Sequence, residues 1–424
     1  MTPRQIAVIG AGVAGLTAAY LLQRRYDVTL FESDDRLGGH AHTRDLADAH
    51  GTTAAVDSGF LVHNDRSYPS LLRLFRELGV LTRDTEMSMS IRCEGCGLEY
   101  AGAKGAAGLF ARPDNLARPR YLRMLAEIPR FHRHARRVLA ATKEDTRADG
   151  TTLSVFLEEG RYTRYFVQHF ILPLVSAVWS VDAALARRYP ARYLFEFLHH
   201  HGMLGIGGSP QWKTVVGGSR EYVERAVKGL ASVRSSTPVR GVRRTTDGVQ
   251  VRTEDDRPQH FDGMVIATHP DQALRLLTDP TDAERRVLGA FRYSVNETWL
   301  HTDTSLLPRA RGARASWNYL SPACDAPQNA VFVSYDLTRL MGLDLAIRPV
   351  VTLNATDRIR ESSVLERMVY QHPSHTPESV AAQRELPLLD DARTAYAGAY
   401  HGWGFHEDGC ASGVRAAASL GVRW

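Results

Sequence analysis

Residues 5–33 read QIAVIGAGVAGLTAAYLLQRRYDVTLFES. Five apolar-rich residues form a strand, Gly10, Gly12 and Gly15 give G-x-G-x-x-G, "LTAAYLLQRR" continues at helical spacing, and "DVTLFE" makes a second strand ending at Glu32. The three glycines do different things. Gly10 makes the tight turn, Gly12 lets a pyrophosphate approach the backbone, and Gly15 lets helix and strand pack closely. The helix N-terminus then presents free N–H groups, and an acid about 20 residues on accepts hydrogen bonds from a ribose. Glu32 stands where that acid is needed, with Ser33 beside it and Ala14 inside the first turn. The stretch predicts a βαβ dinucleotide-binding unit and leaves NAD and FAD both open.

The chain that surrounds this unit has 424 residues, too many for one core, so two domains are expected. Its 44% hydrophobic and 23% charged residues suit an ordinary globular protein. No apolar run approaches the ~20 residues of a membrane span, and the N-terminus shows no signal-peptide pattern, so a cytoplasmic location is the expectation. Of 52 basic residues only four are lysines (Lys104, Lys143, Lys213 and Lys228). The arginine-rich stretch 111–139 alternates with Leu122, Leu125, Ile128, Phe131 and Leu139, predicting a basic amphipathic helix interrupted at Pro129. A solvated face accounts for it; the sharper reading is docking on an anionic membrane surface, at the inner membrane, or on an acidic substrate. No nucleic-acid module is present.

Cys93 and Cys96 form one C-x-x-C that looks like a hairpin turn. A zinc site would require a second ligand pair at suitable spacing, and the sequence offers none, so no metal is expected. In "RLGGHAHT" (36–43), His40 and His42 alone supply two ligands on an extended loop, which is too few for a metal site.

"ESDDRLGGHAHT" resembles the E-x(3)-R-x-G-G-R-x-x-T pattern of the flavin amine oxidase and phytoene desaturase superfamily. The resemblance implies FAD, with Arg36, Gly38 and Gly39 continuing the cofactor cradle and Thr43 matching the pattern's threonine; His40 replaces the usual arginine. "AAVDSGF" (54–60) carries the family's D-x-G at Asp57 and Gly59. "STPVRGV" (236–242) is similar to the family's adenine-holding strand and would put Val239 on that ring, while "FDGMVIATHP" turns at Ala267. The C-terminal "YHGWGFHEDGCASG" looks like the final flavin segment, in which Glu407 and Asp408 stand near the flavin. The wider set of motifs looks like a bacterial group of FAD-binding oxidoreductases often associated with cyclopropane-fatty-acid synthases.

The resemblance implies an α/β architecture: a Rossmann-like FAD-binding domain with an inserted α+β substrate domain. Residues 1–83, 211–275 and 389–424 would form the first, and 84–210 with 276–388 the second. Phe166, Phe170, Leu174, Trp179 and Phe197 either line a hydrophobic tunnel or form a helical core. Candidate catalytic groups are His42 beside the flavin, Lys213 as a holder of water, and Tyr400 and Trp403 as an aromatic wall. The leading expectation is an oxidase or desaturase taking a hydride from a hydrophobic substrate, with a fatty-acyl chain among the candidates. Three alternatives stand beside it: an amine oxidase, a redox-neutral flavin isomerase, and a non-catalytic flavoprotein partner of a lipid methyltransferase.

Overall fold

A computed structural model describes residues 4–141, 151–205, 207–254, 257–324 and 331–424. The opening stretch forms β1 (Gln5–Ile9), α1 (Val13–Leu22) and β2 (Asp27–Phe31). β1 is the middle strand of a five-stranded parallel sheet, flanked by β2 and Gly263–Ile266, with Ser232–Arg234 and Thr394–Tyr396 at the edges. Strands far apart in sequence thus build one sheet. Its central members are apolar at nearly every position because both faces are covered.

α1 has almost no polar face. The sheet covers one side and the C-terminal helix His406–Ser419 the other. That crossing is close because the second helix turns small residues inward. A Cβ on Gly413 would stand 2.4 Å from the Ala14 carbonyl oxygen, and one on Gly409 2.6 Å from Val13 Cγ1.

A second, seven-stranded sheet runs in the order Val364–Ser374, Arg292–His301, Val350–Leu353, Val333–Asp336, Trp317–Ser321, Met89–Cys93 and Glu99–Ala101. It is antiparallel except where Trp317–Ser321 runs parallel to Met89–Cys93. Helices from residues 119–200 share its core through Phe131, Phe166 and Phe195, all fully buried. Among the described residues, no helix is long and apolar enough to cross a membrane.

Two local expectations are corrected. The helix Pro119–Ala140 runs through Pro129 instead of stopping there. Proline removes one helical hydrogen bond, but Met124 and Phe131 are both buried and anchor the turns on either side. Val239 does not lie in a strand. Ser236 adopts a left-handed φ of 47°, Thr237 N–H then donates to the Glu32 carbonyl at 2.8 Å, and strand geometry begins only at Gly241.

Candidate active site

The cradle follows from the backbone. Gly10 has φ +100°, and a Cβ there would meet the Ala267 carbonyl oxygen at 2.7 Å. On Gly15 a Cβ would stand 1.9 Å from the Gly10 oxygen, so helix and turn touch directly. Gly12 differs: no protein atom lies within 4 Å of its Cβ position. Gly12 is also the N-cap of α1 and supplies no side chain, so the first-turn N–H groups are left for an anion. Glu32 closes this end, accepting from the Ala11 N–H at 2.8 Å and the Asp34 N–H at 3.0 Å.

These residues border one end of a cavity of about 1270 Å³. Ala14, Ser33, Gly39, Val239 and Ala267 also line it. Gly15, Gly38, Arg36 and Thr43 do not; they hold the lining loop from behind. Gly38 N–H donates to the Ala11 oxygen at 2.8 Å, Arg36 Nη1 to the Gly39 oxygen at 2.8 Å, and the Thr43 hydroxyl to Asp57 at 2.5 Å.

Glu407 and Asp408 lie outside the lining. Glu407 accepts the Ser70 and Leu71 N–H groups at 2.9 Å, at the start of helix Pro69–Leu78. Asp408 accepts the Phe405 N–H at 2.9 Å and caps its own helix. Burial pushes the Asp408 carboxyl up to about 7. What the C-terminal segment does place on the cavity is Gly398, Ala399, Tyr400, Gly404, Phe405 and His406.

The middle of the cavity is bordered by imidazoles. His40 stacks on Tyr370, centroids 5.0 Å apart, and its Nε2 is buried without a protein partner. His42 sits behind that pair and is not a lining residue; its Nδ1 is 2.9 Å from Tyr370 Oη. Burial, with Arg36 and Arg44 adding to it, pulls His42 down to about 3. Burial, with neighbouring imidazoles, likewise lowers His40, brings His372 to about 4 and His406 to about 3. This part of the wall is therefore polar but uncharged at neutral pH. Tyr370, His372, His269 and His406 were not expected from sequence. They come from three distant segments: His269 and His406 fall inside the two later flavin-like motifs, whereas no local pattern marks Tyr370 and His372.

Beyond the imidazoles the cavity becomes an apolar chamber. Phe170, Leu174, Trp179 and Phe197 line it, whereas Phe166 packs on Phe131 and Tyr162 inside the helical core. Leu125 and Ile128 bring the helix Pro119–Ala140 into the wall, so part of its apolar stripe faces inward.

The other catalytic candidates separate. Tyr400 is fully buried and lines the cavity. Trp403 does not; it borders a shallow second pocket with His200 and Arg136, and its carbonyl accepts from Trp179 Nε1 at 2.9 Å and lies 3.0 Å from His375 Nε2. Lys213 is corrected outright: its Nζ pairs with Asp84 at 2.6 Å on the surface, outside the cavity lining. Strand Trp212–Val215 pairs with Thr82–Thr85 in a register that sets Lys213 opposite Asp84. The C-x-x-C is not an isolated pair either, since Cys324 and His169 lie against it.

The model of the family described as flavin containing amine oxidoreductase matches residues 13–420. The chain belongs to that family. It is 26% identical over 392 residues to carotenoid phi-ring synthase of Streptomyces griseus, covering 81% of this chain and 72% of that protein. Its fold superposes on cyclohexylamine oxidase from Brevibacterium oxydans IH-35A with a TM-score of 0.70 at 15% identity, covering 99% and 98% of the two chains. The fatty acid isomerase from P. acnes that produces CLA gives a TM-score of 0.66 at 17% identity, with 97% of each chain covered. The protein is an FAD-dependent oxidoreductase. Its residues fit the cofactor: an uncapped helix start, open space at Gly12, Glu32 at the ribose end, and the unpartnered His40 Nε2.

Proposed function

We propose that this flavoenzyme oxidises a C–H bond of an uncharged, chain-like hydrophobic substrate, with a fatty-acyl chain as the class of choice. The carrying observation is the composition of the chamber. Among the described residues lining the cavity, Glu32 is the only carboxylate, and it stands at the dinucleotide end. A cationic amine buried in the chamber would find no counter-ion there, whereas an alkyl chain would bury its surface against Phe170, Leu174 and Ile128. No lysine borders the chamber either, among the described residues. Bound FAD supplies the two-electron acceptor for the hydride. The chain's residues exclude water, orient the substrate along the apolar walls and leave the uncharged imidazoles of His40 and His372 as hydrogen-bonding groups beside the reacting end.

The proteins it resembles include one named for a carotenoid and one named for a fatty acid, which agrees with such a chamber. Arg120, Arg123, Arg133, Arg136 and Arg137 remain exposed along the helix Pro119–Ala140. They give the chamber's outer wall a basic face suited to an anionic lipid surface. A lipid-modifying methyltransferase of the cyclopropane-fatty-acid synthase kind is the partner proposed on the same ground, since it would act on the same acyl chains.

Anaerobic mixing of the yellow holoprotein with acyl lipids and with amines tests the reading. Bleaching of the flavin band by an acyl lipid and not by amines supports it; bleaching by an amine overturns it in favour of an amine oxidase. Double-bond migration without net bleaching makes the reaction a redox-neutral isomerisation of the same substrate class. A flavin inert to both sets of compounds points to a non-catalytic partner subunit.

A further inference from the structure

Behind the chamber wall, three cysteines and a histidine meet from three separate segments. Cys93 ends the strand Met89–Cys93, and Cys96 sits in the turn leading to Glu99–Ala101. Cys324 follows the strand Trp317–Ser321, and His169 lies in a π-helical turn, Val167–Ile171. Their four ligand atoms all lie within 4.8 Å of one another. Cys93 Sγ is 3.6 Å from Cys324 Sγ, and Cys96 Sγ is 3.6 Å from His169 Nε2.

Those two separations have a geometric meaning. Tetrahedral zinc, with bonds of about 2.3 Å to sulfur and about 2.0 Å to nitrogen, places its ligand atoms roughly 3.5–3.8 Å apart. Two opposite edges of the group are therefore already at the length zinc needs, and the longest pair must close by roughly 1 Å.

The surroundings are those of a metal ligand set. His169 Nδ1 is 3.1 Å from the Tyr165 carbonyl, which can only accept, so Nδ1 carries the proton and Nε2 is left as the ligand atom. The Cys96 N–H is directed at the Cys93 sulfur and the Leu98 N–H at the Cys96 sulfur, the backbone donors that a bound thiolate uses. Gly97 turns with φ +69° to allow this. A Cβ on Gly95 would stand 2.8 Å from the Cys324 amide nitrogen, so the two cysteine-bearing loops touch through it. Arg118 places Nη1 2.6 Å from the Cys96 carbonyl, a cation beside a centre that would carry one net negative charge.

We propose that Cys93, Cys96, Cys324 and His169 bind one Zn²⁺ as a closed structural site that fixes the far wall of the substrate chamber. Three thiolates and an imidazole select zinc over harder cations, and four protein ligands leave no position for substrate or water. Binding displaces the three thiol protons to solvent and changes no oxidation state. The site lies where it can shape the chamber. Ile91 and Tyr100 on the cysteine hairpin and Phe170 beside His169 all line the cavity, and the Tyr100 hydroxyl donates to the His169 carbonyl at 2.7 Å. Zinc at this position is independent of the substrate class.

Metal analysis of the full-length holoprotein, purified under reducing conditions without chelator, tests this beside flavin content on the same sample. The expected result is one zinc per chain. Cys324→Ser and His169→Ala should each weaken zinc retention at least roughly tenfold while FAD stays bound, because neither residue belongs to the cradle. Cobalt(II) titration of the zinc-stripped wild type keeps the proposal falsifiable should the variants fail to fold. Tetrahedral thiolate coordination gives intense visible d–d bands and a near-ultraviolet charge-transfer band. Absence of zinc together with absence of those bands overturns the proposal. So does a Cys93–Cys324 disulfide found by mass mapping of protein whose free thiols were alkylated at cell lysis, before any metal could be lost.

Discussion

Asp57 and Ser219, far apart in sequence, share one buried hydrogen-bond system. The Asp57 carboxylate accepts the Ser219 N–H at 2.9 Å and its hydroxyl at 2.7 Å, while the Thr43 hydroxyl donates to the same carboxylate at 2.5 Å. Three segments of the cradle are tied at this point. Asp57→Ala leaves buried donors unpaired and should cost about 2–4 kcal/mol, read as a lower denaturation midpoint with loss of bound flavin. Asp57→Asn keeps one acceptor and should cost less; equal losses would show that the hydrogen bonds are not what the carboxylate provides.

The fingerprint glycines should fail differently. Gly15→Ala places a Cβ 1.9 Å from the Gly10 oxygen and should prevent the β1–α1 unit from packing, yielding little soluble protein. Gly12 has φ −71° and open space around its Cβ position. Gly12→Ala should fold with apoprotein stability within about 0.5 kcal/mol of wild type yet bind FAD weakly, by flavin fluorescence titration. Tight FAD binding by that variant would show that the space is not the pyrophosphate site.

Acid should unfold the protein steeply. His63, His201, His301 and His375 are buried, and burial holds each at about 4, against about 6.5 in an unfolded chain. A lowered folded-state value means the stabilising contribution is complete above pH ~6.5 and is lost as pH falls towards 4, at about 3 kcal/mol for each group. Asp57 and Asp408, raised by burial to about 6 and 7, act in the opposite sense, as do Asp390 and Glu407, also raised by burial. The lowered histidines, with His40, His42, His372 and His406 added, outnumber them. Urea midpoints should therefore fall sharply from pH 7 to pH 5, and a flat profile would contradict the burial of neutral histidines.

Lys213 should be dispensable for the flavin chemistry. Its ammonium is paired with an exposed Asp84, a contact worth at most about 1 kcal/mol. Lys213→Met should leave flavin reduction by substrate unchanged within about twofold, measured by stopped flow. A large loss would place the lysine on the substrate path.

The N-terminal unit was legible because its information is local. Gly10, Gly12 and Gly15 act through backbone conformation and contacts within a few residues, and Glu32 follows at a spacing fixed by one helix and one strand. Resemblance extended this to Gly39, Val239 and Ala267, all on the cavity. It failed for the side chains of Glu407 and Asp408, because a motif match fixes where the backbone passes and not where a carboxylate turns. These carboxylates are drawn to unsatisfied N–H groups at two helix starts.

By itself the sequence determined the βαβ dinucleotide unit, an apolar, aromatic stretch in the middle of the chain and the absence of a long apolar span. Backbone preference and hydrophobic periodicity act over one or two elements, so they can be read along the chain. The tertiary structure alone decided which rings face the chamber, that Lys213 is spent on the surface, and that Cys324 reaches Cys93 across 231 residues of sequence. Such contacts arise when separate sheets and helices close over a shared core. Their partners are chosen by packing in space, a relationship that spacing along the chain does not encode.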